Sequence, residues 1–256
     1  MNQPEILKIQ GLTVRFGGLR AVDAVDFSIL KNEIVSLIGP NGAGKTTTFN
    51  AITGFVRKEA GKIEFEGNRL EHLRPHQIAE RGVVRTFQIT SLFPNLTVLD
   101  NIHTGRHMQE KGSLFDTLLN TRRRRQVEDE NLKKTMDILR FIGLEDVKNI
   151  TASNLPYGDQ RVLEIGVALA AEPKLLLLDE PSAGLNDAET QVMMTLIKKM
   201  RSQGITILLV EHDMKLVMGI SDRLVVLNFG KKIAEGTPAQ IRCDPQVITA
   251  YLGEKR

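Results

Sequence analysis

The residues best suited to chemistry form one unbroken stretch, Gly39-Pro40-Asn41-Gly42-Ala43-Gly44-Lys45-Thr46-Thr47. It fits G-x-x-x-x-G-K-[ST], with Gly39, Gly44, Lys45 and Thr46 on the defining positions. Glycines let a backbone wrap an anion, so that successive N–H groups and the positive start of a helix face it. Lys45 then reaches the β- and γ-phosphates of a nucleotide, and the Thr46 hydroxyl is placed to ligate Mg²⁺. A pair of acids, Asp179 and Glu180, ends an apolar run further along. Asp179 is suited to holding Mg²⁺ through water, and Glu180 to polarising a nucleophilic water. Two acids at a strand tip are a weak signal alone. Beside a phosphate loop they become a strong one, because the reaction needs both metal support and a water-orienting group.

Three single residues carry weaker signals. Gln88 follows the run Val83–Phe87 and is either a ligand of Mg²⁺ or the attacking water, or a solvated loop residue. His212 follows Thr206–Val210 at what reads as the carboxyl edge of a parallel strand, where open α/β sheets bind ligands; the alternative is a structural or exposed histidine. Phe16 stands upstream of the phosphate loop, where it either stacks on a nucleobase or fills a core or turn position.

The elements that must position these groups follow from periodicity. Short apolar runs predict buried strands at Ile34–Ile38, Val83–Phe87, Lys174–Glu180 and Thr206–His212, with a helix from Thr46 to Ile52 after the phosphate loop. Leu7–Val14, Val25–Leu30 and the glycine-bounded Gly61–Gly67 predict further strands, Pro75–Arg81 a brief helix, and Arg223–Leu227 and Lys232–Glu235 closing strands. From about Ile89 to Gly166 strand signals vanish and helices are predicted at Val98–His107 and Glu128–Ile142. In the second, Leu132, Met136, Leu139 and Ile142 recur at helical spacing as a core stripe. Arg122–Arg125 is a basic run, read as a solvated face or as a surface for an anionic partner. Pro238–Gly253 reads as a helical tail.

Composition narrows the class. The chain has 256 residues, 41% hydrophobic and 25% charged, which suits a soluble globular protein with a substantial core. Its longest apolar stretches fall far short of a membrane span, and its polar opening lacks a signal pattern. The single cysteine, Cys243, excludes an intramolecular disulfide framework and a cysteine-rich zinc site. A net charge of +3 is too small to argue for nucleic acid. These features predict a cytoplasmic protein whose membrane role, if any, runs through a partner.

The phosphate loop, Gln88, the Asp179-Glu180 pair, the turn Ser182-Ala183-Gly184-Leu185-Asn186 and His212 together resemble the nucleotide-binding subunits of ABC transporters, over essentially the whole chain. The resemblance implies an α/β P-loop (RecA-like) ATP-binding domain with an antiparallel β subdomain and an inserted helical subdomain. Its implied boundaries are 5–88 and 167–236 for the core, 89–166 for the helical insertion and 237–256 for the tail. It also implies ATP and Mg²⁺ as cofactors, held by Gly39 to Thr47, with Mg²⁺ on Thr46, Gln88 and Asp179. Glu180 takes the place of the catalytic base and His212 that of the γ-phosphate contact. Phe16 takes the adenine-stacking place, and Gln88 couples nucleotide to a membrane partner.

Leu155-Pro156-Tyr157-Gly158-Asp159-Gln160 occupies the position of the family's Leu-Ser-Gly-Gly-Gln signature, keeping Gly158 but lacking the serine and first glycine. Asn186 stands where aspartate is usual. Asn154–Ile165, Glu211–Arg223 and Tyr251–Glu254 are similar to the ATP-binding protein of high-affinity branched-chain amino acid importers. The implied partners are a second ATPase subunit in a heterodimer (a homodimer in isolation), two transmembrane permeases and, indirectly, a periplasmic binding protein, with the chain on the cytoplasmic face of the inner membrane and no nucleic acid. The competing readings are an ATPase for urea or short amides, one for lipopolysaccharide export, and a soluble ABC ATPase acting on DNA or ribosomes. The last class tends to carry coiled coils, tandem cassettes or zinc cysteines, none of which is present here.

Overall fold

The continuous apolar runs become strands buried on both faces, as parallel strands covered on both sides must be. The computed structural model describes residues 4–86, 92–106 and 122–252, with side chains from 127 in the last helix of the insertion's first half. It divides into two compact units, Met1–Arg85 with Lys174–Arg256, and Thr86–Pro173.

The first unit holds two sheets. β1 (Glu5–Phe16), β2 (Leu19–Leu30), β4 (Ala60–Phe65) and β5 (Asn68–Arg69) form an antiparallel sheet in the order β2-β1-β4-β5. β3 (Ile34–Ile38), β6 (Val83–Arg85), β7 (Leu175–Asp179), β8 (Thr206–Val210), β9 (Arg223–Asn228) and β10 (Lys231–Gly236) form the second, ordered β10-β9-β3-β8-β7-β6 and parallel except at β10. Strand alternation shares its side chains between two cores. Val35, Leu37, Leu175, Leu177, Leu208 and Val210 join the core that also takes the inner face of the antiparallel sheet. Ile38, Leu224 and Val226 face the other way, onto Val217, Ile241 and Val247.

β1 and β2 run longer than their apolar patterns predict, meeting at the Gly17-Gly18 turn. Their added residues, including Arg20 and Asp23, alternate poorly because β2 is an edge strand of its sheet. The predicted tail is two short helices, Pro238–Arg242 and Pro245–Leu252, and they belong to the first unit through Ile241 and Val247.

The second unit is helical: α3 (Val98–Arg106), α4 (Arg122–Ile142) and α5 (Tyr157–Leu169). Here α1 is Lys45–Ile52 and α2 is Pro75–Glu80, both in the first unit. The unit's limit at Pro173 lies beyond the predicted 166, since α5 runs unbroken past that position. The predicted stripe of α4 needs correction. Leu132 is 48% exposed, and the buried positions are Asn131, Thr135, Leu139 and Ile142. The helix turned its polar Asn131 inward because Arg106 donates to its side chain at 3.0 Å, while the Thr135 hydroxyl closes on the Asn131 carbonyl at 2.8 Å. A hydrophobicity count cannot see this, since it assigns polar residues outward. The basic run Arg122–Arg125 is helical rather than loop, forming the first turn of α4.

Candidate active site

Strand order decides what meets. Because β3 lies beside β8 and β8 beside β7, the carboxyl ends of three strands stand side by side, carrying Gly39, His212 and Asp179-Glu180. They open on a cleft of about 470 Å³ lined by residues 41–47, Glu180, His212, Phe16 and Phe229. Phe16 is half exposed at the end of β1 on this cleft, so the core reading of that residue is set aside.

The loop's glycines are required by the protein's own backbone. A Cβ on Gly39, at φ +150, would stand 2.1 Å from the Leu227 carbonyl oxygen, and one on Gly44, at φ +101, 2.5 Å from that of Ala21. Gly44 caps α1 in a left-handed conformation with no side-chain hydrogen bond to the helix start. The first N–H groups of α1 are therefore left to an anion, as the start of any helix leaves its first N–H groups without helical partners. Lys45 is buried and its ammonium donates to the carbonyls of Gly39 (2.7 Å) and Pro40 (3.0 Å). Burial lowers its pKa from the ordinary lysine value, and Glu180 and Asp179 pull it partly back up.

Asp179 is fully buried at the tip of β7 and accepts from the Arg85 guanidinium at 2.6 Å. Arg85 also donates to the Asn50 side chain at 2.5 Å and lies over the Phe49 ring, so it ties the acid to helix α1. Glu180 follows in a left-handed conformation, φ 50, held there by its N–H donating to Val210 O at 2.8 Å. Its carboxylate stands 3.0 Å from His212 Nε2. Asn186 caps the helix Asp187–Ser202, accepting from Glu189 N at 2.9 Å while Glu189 returns a bond to its N–H. Asparagine and aspartate cap equally well, which accounts for the departure at this position.

Sequence reasoning missed two residues, Arg85 and Glu211. Arg85 carried a readable signal, a charge at the end of a buried strand, which demands a partner. Glu211 carried the same signal, a charge near the end of a run read as a buried strand, which does not say which partner it meets. It is 4% exposed and accepts from Ser182 N (2.7 Å) and Oγ (2.5 Å) on one oxygen, and from His212 N (2.8 Å) and Asp213 N (3.3 Å) on the other. Gln88 lies outside the described residues.

The signature segment lies in the second unit. Pro156 caps α5 without a side-chain hydrogen bond, and Gly158 is buried in the first turn. Tyr157 folds back along its own helix, its hydroxyl accepting from Arg161 Nε at 2.9 Å with the guanidinium over the ring. Arg161 is itself paired with the buried Glu164 at 3.0 Å.

Among the described residues no cluster of three or more His, Cys, Asp or Glu side chains is arranged to hold a metal. Mg²⁺ does not need one, since it takes one or two carboxylates and completes its shell with water and substrate phosphates. The oxygen donors Thr46 and Asp179 suit that ion. No helix among the described residues is long and apolar enough to cross a membrane.

Residues 22–183 match the ABC transporter family, and residues 231–256 match the family described as branched-chain amino acid ATP-binding cassette transporter. The chain is 52% identical over 255 residues to the high-affinity branched-chain amino acid transport ATP-binding protein LivG of Escherichia coli K12, covering 99% of this chain and 100% of that one. It is 46% identical over 255 residues, with the same coverage, to the corresponding protein BraF of Pseudomonas aeruginosa. Among solved structures, the ADP conformation of an ATP-binding cassette of an ABC transporter superposes with a TM-score of 0.86 at 32% identity, covering 98% of this chain and 100% of that one.

Proposed function

The chain belongs to the ABC transporter family of ATP-binding proteins, and from that membership we propose that it is the ATP-hydrolysing subunit of an importer of branched-chain amino acids. The observation that carries hydrolysis is the meeting of Lys45, Glu180 and His212 around one cleft. The substrate reading is supported by the names of relatives that match this chain from end to end.

In this reading Lys45 and the N–H groups at the start of α1 bind the phosphates, and Phe16 stacks on adenine. Thr46 and Asp179, with Gln88, hold Mg²⁺, which neutralises charge on the phosphates when bound. Glu180 takes a proton from the attacking water, and His212, oriented by its 3.0 Å contact with Glu180, faces the γ-phosphate. Gly158 and the start of α5 complete the site of a second ATPase subunit, as that subunit's signature completes this one's. Two permeases receive the motion at the cytoplasmic face of the membrane, with Gln88 as the coupling residue. A periplasmic binding protein delivers the solute.

The test is uptake of labelled leucine by vesicles holding the full complex, with urea and a short amide as competing solutes. Mg-ATP-dependent leucine uptake that Lys45→Ala abolishes is the expected result. Uptake of urea but not leucine would overturn the substrate while leaving the ATPase intact.

A further inference from the structure

Glu211 stands between the two loops that carry the candidate catalytic groups, and it touches each with a different oxygen. Oε1 takes the N–H and hydroxyl of Ser182, two residues after Glu180. Oε2 takes the N–H groups of His212 and Asp213. Four donated hydrogen bonds reach this buried carboxyl group. We propose that Glu211 is a positioning residue for hydrolysis, a carboxylate strap that sets the Glu180–His212 distance by holding the Ser182 turn and the His212 backbone to one rigid group.

The chemistry explains why this must be a carboxylate. Every neighbour facing it is a donor, so a group with two acceptor oxygens satisfies both loops at once. Glutamine has the same shape but only one acceptor. Its amide N–H₂ would face backbone N–H groups donor to donor, either that of Ser182, whose hydroxyl alone could turn to accept, or those of His212 and Asp213, and that loop would be held less firmly. Hydrogen bonds to a charged group are worth enough that losing such a pair costs about tenfold or more in a quantity that depends on it. Lys45 begins α1 and the loop glycines lie between β3 and α1, none of them bonded to Glu211, so nucleotide binding is spared.

The inference rests on the ATPase reading, and the experiment separates the two. The full chain is assayed for Mg-ATP hydrolysis and for Mg-ATP affinity as wild type, Glu180→Gln, His212→Ala, Glu211→Gln, Glu211→Asp and the double variant Glu211→Gln, His212→Ala. The strap predicts a kcat about tenfold lower or more in Glu211→Gln. It also predicts affinity close to wild type, partial recovery in Glu211→Asp, and little further loss when Glu211→Gln is added to His212→Ala. A Glu211→Gln protein with wild-type kcat, or one whose losses simply multiply with those of His212→Ala, overturns the strap and leaves the ATPase reading standing. Wild-type hydrolysis by both Glu180→Gln and His212→Ala overturns both. Should Glu211→Gln fold poorly, Ser182→Ala removes one bond only. The His212 ring resonances in its NMR spectrum should then move, and an unmoved His212 overturns the strap.

Discussion

The phosphate-loop region of the first unit and the signature segment of the second are built on opposite principles. Around the phosphate loop the close approaches are backbone to backbone, and the acids are each held by a partner: Asp179 by Arg85, Glu180 by His212. Almost every position agrees with the family pattern. In the signature segment two positions depart from it, and the side chains present satisfy one another instead of pointing to a ligand. Tyr157 engages Arg161, Arg161 engages Glu164, and Pro156 offers neither hydroxyl nor N–H. The bulk of Tyr157, which by size alone would crowd a γ-phosphate, is laid along its own helix. What the segment lacks is therefore chiefly a hydrogen bond. One region gathers candidate catalytic groups around a cleft, and the other keeps a helix start whose side chains engage one another.

The comparison breaks most visibly at Glu180. Glu180→Gln should lower the hydrolysis rate by about 10²- to 10⁴-fold, the range for loss of a general base, with Mg-ATP affinity retained. In the assembled transporter the same change in the second subunit should leave a clear remainder if the hydroxyl that Pro156 lacks slows the site this chain completes. Equal losses in the two mutants would abolish the distinction between the regions.

Next in size is the buried pair behind Asp179. Arg85→Met takes the guanidinium from a carboxylate with no exposure and should destabilise the fold by about 3–5 kcal/mol, read by thermal or denaturant unfolding. Arg161→Met should do the same in the second unit, where Glu164 is also buried. An unchanged transition in either would show that pair to be dispensable.

Lys45→Ala should weaken Mg-ATP binding about ten- to a hundredfold, the value of a lost bond to a charged group, measured by titration calorimetry. Nucleotide affinity equal to wild type would remove Lys45 from the phosphate site. Restoring the donor in the other region is the counterpart. With Glu180→Gln silencing the first site, Pro156→Ser should raise the residual rate by about ten- to a hundredfold. No rise would mean that the missing hydroxyl is not what slows that site.

The smallest effect is on pH. Burial lowers the Lys45 pKa, so its charge is lost at a lower pH than that of an ordinary lysine. Phosphate prefers the protonated form, so Mg-ATP affinity should fall on the alkaline side before the ordinary lysine range is reached. The sign for stability is opposite. The folded state disfavours the charge, so this group's cost to stability is present at neutral pH and is relieved as pH rises through its lowered pKa. Affinity that stays flat up to the ordinary lysine range would contradict the burial of this side chain.

The sequence by itself determined the strands that end at the phosphate loop, the paired acids and the histidine, because each is a short apolar run bounded by glycine or polar residues. It determined the family for the same reason: those motifs are short, local and chemically specific. Side-chain partnership was decided by the tertiary structure alone. Nothing local to Leu132 and Asn131 says that the asparagine turns inward, since the reason lies at Arg106, in another helix. Glu211 reads as any acid at a strand end until β7 and β8 pair and bring Ser182 to it. Arg85 reads as a strand terminus until β6 pairs with β7 and faces it to Asp179. Apolar burial is a sum over a residue's own surface and can be read along a chain. A buried charge is stable only through a partner, and which partner it meets depends on strand order.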